Sequence, residues 1–267
     1  MRNLLRKMGQ KSFRPGHAAA MFFLNATNPE TIKLMRTGML GIGFKAQRLA
    51  HDLFKRFACK QTSAPPAKLG AAPIEAQVIR FINKKMPGGL PKKTARALLD
   101  IEDKDCVPIL RNPVATTPET EAVFYFRSCG SKRLFSQVGL ATQAMLWHAG
   151  VQTVLPPGCL CCGYPQSGSG QFDKADKADK ADNIITHDRV WFHHVANTLN
   201  YLDIKTIVVS CGIWCDQLQG YKFSEIFFDS HIIDLHEYLL EKGITLLAGQ
   251  AGFLYPEPCH NPIKLGD

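Results

Sequence analysis

From Glu121 onward, short apolar runs alternate with helical segments, and this alternation limits the possible folds more than any other feature. The runs "AVFYFR" (122–127), "VQTVLP" (151–156), "KTIVVS" (205–210), "HIIDL" (231–235) and "GFLYPEP" (252–258) read as strands. Between them "KRLFSQVGLATQAMLWHAG" (132–150), "HDRVWFHHVANTLNYL" (187–202), a short helix through "DQLQGY" and "HEYLLEKG" read as helices, the first ended by Gly150. Strands joined by crossover helices pair in parallel, because a right-handed crossover returns each strand in the same direction. The expected class is therefore α/β, with a parallel sheet covered on both faces.

The first 120 residues differ in character. They carry 21 Lys/Arg against 8 Asp/Glu, whereas residues 121–267 carry 11 against 15. Residues 29–57 read as one or two helices, with Asn28 as N-cap and a break at Gly41/Gly43. "CKQTSAPPAKLGAAP" (59–73) has linker composition, shorter helical patterns lie near 74–85 and 92–101, and "VPILRNPVATTPET" (107–120) reads as a second connector. The expected organisation is a basic, mainly helical region over 1–120 and a cysteine-rich α/β domain over 121–250. A further segment, 251–267, begins a second repeat.

The basic region could meet nucleic acid, an anionic membrane or an acidic protein. Its charges sit on amphipathic helical patterns such as "GFKAQRLAHDLFKRF" without strand aromatics for stacking bases, which argues against nucleic acid. The plainest reading of those charges is a solvated helix face. No window is apolar enough for a membrane span. Arg6, Lys7, Lys11 and Arg14 interrupt the N-terminal apolar residues, which argues against an export signal. Asp173 to Asp182, "DKADKADKAD", is a three-residue repeat with no apolar face and reads as a solvated loop.

Seven of the nine cysteines lie after position 128. Without an export signal, thiols at this density fit metal or redox chemistry better than disulfides. Cys129 follows the first strand, Cys161 and Cys162 the second, Cys211 the third and Cys259 the last. In a parallel sheet those positions share one edge, where open α/β folds hold their ligands. Several soft thiolates meeting there suit an iron–sulfur cluster or zinc. Gly130, Gly158, Gly163 and Gly212 beside them would let backbone N–H groups approach sulfur. Cys59, Cys106 and Cys159 read as bystanders. His193 and His194 lack zinc-helix spacing, and one of them is expected to pack on the sheet. His260, beside Cys259, is the histidine with most claim to a site. "GSGQ" at 168–171 lacks dinucleotide-loop spacing, and so many thiols argue against a single-cysteine hydrolase.

The motifs "SCGSKRLF", "GCLCCGYP", "VVSCGIWCDQL" and "YPEPCHNP" resemble the cysteine-rich CCG-domain proteins. These include the cysteine-rich subunit of heterodisulfide reductase and the iron–sulfur subunit of glycolate oxidase. The chain also looks like the C-terminal region of large bacterial FAD-linked oxidases that carry a heterodisulfide-reductase-related part. The resemblance spans about 121–262 and implies a parallel-sheet CCG domain. It implies a [4Fe–4S] cluster, non-cubane in some members, or zinc in others, held by Cys129, Cys161, Cys162, Cys211 and Cys215. It further implies electron transfer with an FAD-linked oxidase or dehydrogenase domain or subunit and a ferredoxin-type electron relay. FAD is then expected on the partner, and the setting is cytoplasmic or peripheral to the inner face of the membrane. The alternative is a zinc-binding or metal-free interaction module that has lost redox work.

Two departures from the family pattern stand out. Trp214 occupies the place of the second cysteine in the closing Cys-x-x-Cys, and Cys215 comes one position late. On a helical turn that delay rotates the thiol by about 100°. The chain also ends shortly after Cys259, without the Cys-Cys-Gly of a second copy.

Overall fold

The computed structural model describes residues 22–23, 26, 29–57, 74–103, 105–127, 135–157, 180–212 and 218–244. The N-terminal part holds α1 (Pro29–Arg36), a π-helical segment (Thr37–Gly43), α2 (Phe44–Phe57), α3 (Ile74–Asn83) and the short α4 (Ala95–Leu98). The α/β part runs β1 (Ile109–Leu110), β2 (Ala122–Phe126), α5 (Ser136–His148), β3 (Gln152–Val154) and α6 (Lys180–Thr198). It continues with β4 (Thr206–Val209), α7 (Phe223–Ile226), β5 (His231–Asp234) and α8 (Leu235–Glu241), with 3-10 turns at Asn200–Leu202 and Gln219–Tyr221.

The five strands form one sheet in the order β1-β3-β2-β4-β5. β3, β2, β4 and β5 are parallel, and β1 closes one side antiparallel to β3. The α/β class and the parallel arrangement expected from the alternation are both present. The connector 107–120 is corrected: Ile109 and Leu110 pair with Val154 and Thr153 as an edge strand. Two corrections concern helices. The Gly41/Gly43 break is a π-helical passage between α1 and α2 rather than an interruption. The segment Lys180–Asp182, read as loop, belongs to the first turn of α6.

Period-two alternation sorts the strand residues to two faces. Phe124, Phe126, Ile207 and Val209 join Phe192 and Val195 of α6 and the segment 218–227 in one core cluster. Val123, Tyr125, Val208 and Ile233 pack with Leu146 of α5 and Leu235, Tyr238 and Leu239 of α8 in the other. Helix α5 stops at Gly150, whose φ of 74° is left-handed and whose Cβ position would touch Ala115. A side chain there would be strained in conformation.

Glu121 ties the N-terminal edge of the sheet together. Its carboxylate accepts hydrogen bonds from Thr206 Oγ1 (3.0 Å), from Tyr238 OH (3.0 Å) and from Lys242. Burial pushes the Glu121 carboxyl up, but the bonds from Lys242, Tyr238 and Thr206 outweigh it and hold it below the usual glutamate range. Burial and the facing carboxylate push the Tyr238 phenol up. A carboxyl that binds its proton less tightly when folded stabilises above its unfolded pKa, and that contribution fades as pH falls through the folded value. Thermal melts should therefore show the unsubstituted chain losing more Tm than Glu121→Gln between about pH 6 and pH 3. Parallel Tm curves would show that the carboxylate charge contributes nothing.

Candidate metal centre at the C-terminal sheet edge

The register fixes where the strands end. Phe124 lies opposite Val154, Phe126 opposite Val209, and Val209 opposite Asp234. The ends of β2, β4 and β5 therefore stand side by side on one edge, and β3 ends two residues short of them on the same edge. The segments that carry Cys129, Cys161 with Cys162, and Cys211 each leave the sheet from this edge. Of the expected ligands only Cys211 is among the described residues. Cys129, Cys161, Cys162 and Cys215 lie outside them, as do Cys259, His260, Cys59, Cys159 and the strand expected at 252–258. Among the described residues no group of three or more potential metal ligands comes together.

Cys211 continues the alternation of Ile207 and Val209, and its half-buried side chain packs against the aromatic core cluster. Next to it in sequence, Ser210 Oγ lies 3.0 Å from Tyr125 OH, which pins the end of β4 to β2. At the end of β5, Asp234 caps α8 by accepting the His236 amide (2.9 Å), and the same carboxylate oxygen meets His236 Nδ1 at 2.8 Å. The hydrogen bond to Asp234 raises the His236 pKa against the opposing effect of burial.

Helix α5 begins after the segment that leaves β2, so its N-terminus belongs to this edge. Phe135 at its N-cap supplies no side-chain hydrogen bond. Ser136, Gly139, Thr142, Gln143 and Leu146 form its buried stripe, which is mostly polar or side-chain-free toward the N-terminus. Ser136 Oγ and both amide atoms of Gln143 are buried without hydrogen-bond partners among the described residues. Buried polar atoms in this state are uncommon. Arg127, directly after β2, is buried at the same edge.

Arg96 is the residue whose role the sequence did not announce. It is buried, and its guanidinium donates to Ile101 O (2.8 Å) and Pro156 O (3.0 Å). It thus binds the helical N-terminal part to the end of β3, just before the Cys161–Cys162 segment. An arginine in a basic stretch offers no pattern that separates such a clamp from a solvated charge. Cys106 is exposed, and its thiol donates to Asp103 Oδ2 at 3.2 Å. That hydrogen bond and the Asp103 charge push the thiol pKa up, away from the reactive thiolate. The histidine expectation is corrected: His193 and His194 are both exposed, because α6 turns Asp188, Phe192 and Val195 toward the sheet instead.

Among the described residues no helix is long and apolar enough to cross a membrane. Compared with protein-family models, curated proteins and solved structures, the chain matches none.

Proposed function

We propose that this chain is an iron–sulfur electron-transfer component. Cys129, Cys161, Cys162 and Cys211 would hold the cluster, with Cys215 as the displaced fifth thiolate. The observation that carries this reading is the parallel β3-β2-β4 order, which releases three cysteine-bearing segments from neighbouring strand ends. Neighbouring strands lie about 4.8 Å apart and an extended residue spans about 3.4 Å. Chain length therefore permits the four thiols to meet. Two described side chains support it: Cys211 is half-buried just after its strand, and Ser136 Oγ is a buried hydroxyl at the start of α5. Sulfide and thiolate sulfur accept hydrogen bonds, which tune a cluster's potential.

The bound cluster would supply one-electron transfer. The residues of the chain would fix it, limit solvent access and orient donors toward sulfur. The CCG-type motifs point to an FAD-linked oxidase or dehydrogenase as electron partner, with a ferredoxin-type relay. Iron and sulfide content, with absorbance near about 420 nm after anaerobic purification, tests the reading. Zinc in place of iron would replace it with a structural zinc site.

The displaced thiol gives a second test. An indole does not coordinate iron as a thiolate does, so Trp214 leaves a gap in the closing motif. The double change Trp214→Cys with Cys215→Tyr restores the family order and should raise iron per chain. A zinc site gains little, since four thiolates already complete a tetrahedron. Unchanged iron would mean that Cys215 either suffices or is not used, and Cys215→Ser separates those outcomes.

A further inference from the structure

Helix α2 turns polar side chains inward. Gln47 and His51 are its buried residues, with Phe44 and Phe54 half-buried on the same side. Gln47 Nε2 donates to the carbonyls of Phe81 (2.6 Å) and Lys84 (2.9 Å), and its Oε1 accepts from the Met86 amide (3.0 Å). His51 Nδ1 meets the Ile82 carbonyl at 2.6 Å. Phe81 and Ile82 are in the C-terminal turn of α3, whose carbonyls lack helical partners, and Lys84 directly follows the helix. The capping contacts fix how α2 is rotated, and its apolar stripe consequently faces outward. Leu49, Leu53 and Phe57 are 63%, 44% and 78% exposed, and Ile42 in the π-helical passage is 71% exposed. Their spacing places them on one face of the helix.

The charges around the stripe are mostly positive. Residues 29–57 hold six Lys/Arg and two Asp/Glu. Lys45 and Arg56 project from the helix immediately beside Leu49 and Leu53 and are exposed. The acidic residue of α2, Asp52, is engaged by Lys85 at 2.7 Å. A strongly amphipathic helix with an exposed Leu/Phe stripe and a Lys/Arg border is the form that lies in a membrane interface. A second copy on this face would bring Lys45 and Arg56 near their own equivalents, and like charges oppose that pairing.

We infer that α2 is a membrane-surface element that docks the chain on an anionic lipid bilayer. Leu49, Leu53 and Phe57 would enter the acyl boundary, and Lys45 and Arg56 would meet lipid phosphates. The inference is independent of the metal centre, since it uses no cysteine.

Flotation of the whole chain with phosphatidylcholine vesicles, with and without phosphatidylglycerol, tests it. Binding should be at least tenfold tighter to the phosphatidylglycerol vesicles and should weaken in about 0.5 M salt. Lys45→Gln with Arg56→Gln should weaken it about thirtyfold, at roughly fivefold per basic residue. Leu53→Gln with Phe57→Gln should weaken it at least about tenfold. These side chains are exposed, so far-ultraviolet circular dichroism should not change. The salt titration on the unsubstituted chain stands even if a variant misfolds. The inference fails if anionic vesicles do not bind the chain, or if the leucine–phenylalanine variant binds equally well. It also fails if the stripe instead supports self-association that the same variant abolishes, or binds an acidic protein while vesicles are ignored.

Discussion

Serine at Cys161 or at Cys162 is expected to remove most of the iron from the purified chain, whereas Cys159→Ser should leave iron content nearly unchanged. Alcohol oxygen is a poor replacement for thiolate sulfur toward a cluster. Adjacent residues in an extended chain point to opposite sides, so both thiols serve one cluster only where the backbone turns. Gly163 and Pro165 provide residues suited to that turn. Iron per chain, measured beside circular dichroism spectra, separates loss of a ligand from loss of fold. A large iron loss from Cys159→Ser would reassign the ligand set. An unaffected Cys161→Ser would remove the Cys-Cys-Gly motif from the site.

The second large effect concerns the scaffold. Phe124→Ala should cost about 3–5 kcal/mol of stability, a large fraction of the about 5–15 kcal/mol that a protein of this kind holds in reserve. Phe124 is fully buried on the central strand. Its ring meets Phe192 edge-on at 5.4 Å, Phe227 at 5.4 Å and Phe223 at 6.2 Å. Removing it would empty the centre of the cluster that joins β2, α6 and the segment 218–227, against which Cys211 also packs. Phe228, 87% exposed, provides the control, and Phe228→Ala should shift stability by no more than about 0.5 kcal/mol. Urea titration would show a lower midpoint for Phe124→Ala at unchanged slope. Equal midpoints for the two variants would contradict this description of the core.

The strands of the parallel sheet were legible in the sequence because each is an apolar run bounded by polar or turn residues, and burial on both faces requires that composition. β1 was not legible. Its two residues sit in a Pro- and Thr-rich connector, and they are a strand only because the exposed side of β3 offers hydrogen bonds. The start of α6 was missed for a related reason, since the charged repeat carries no apolar periodicity. The amphipathicity of α2 was readable, yet its direction was not. Sequence pattern gives two faces, but Gln47 and His51 reaching the last carbonyls of α3 decide which one turns inward. At the candidate centre, the placement of the cysteines after strands was readable. Arg96, Ser136 and Gln143 were not, because burial of a polar side chain depends on contacts distant in sequence.

The reading of the C-terminal sheet edge as a cluster site is tested most directly by iron and acid-labile sulfide analysis of the whole chain purified without oxygen. Both are expected, in comparable amounts, with absorbance at about 420 nm that bleaches on exposure to air. Colourless protein with zinc, or with no metal at all, would contradict it.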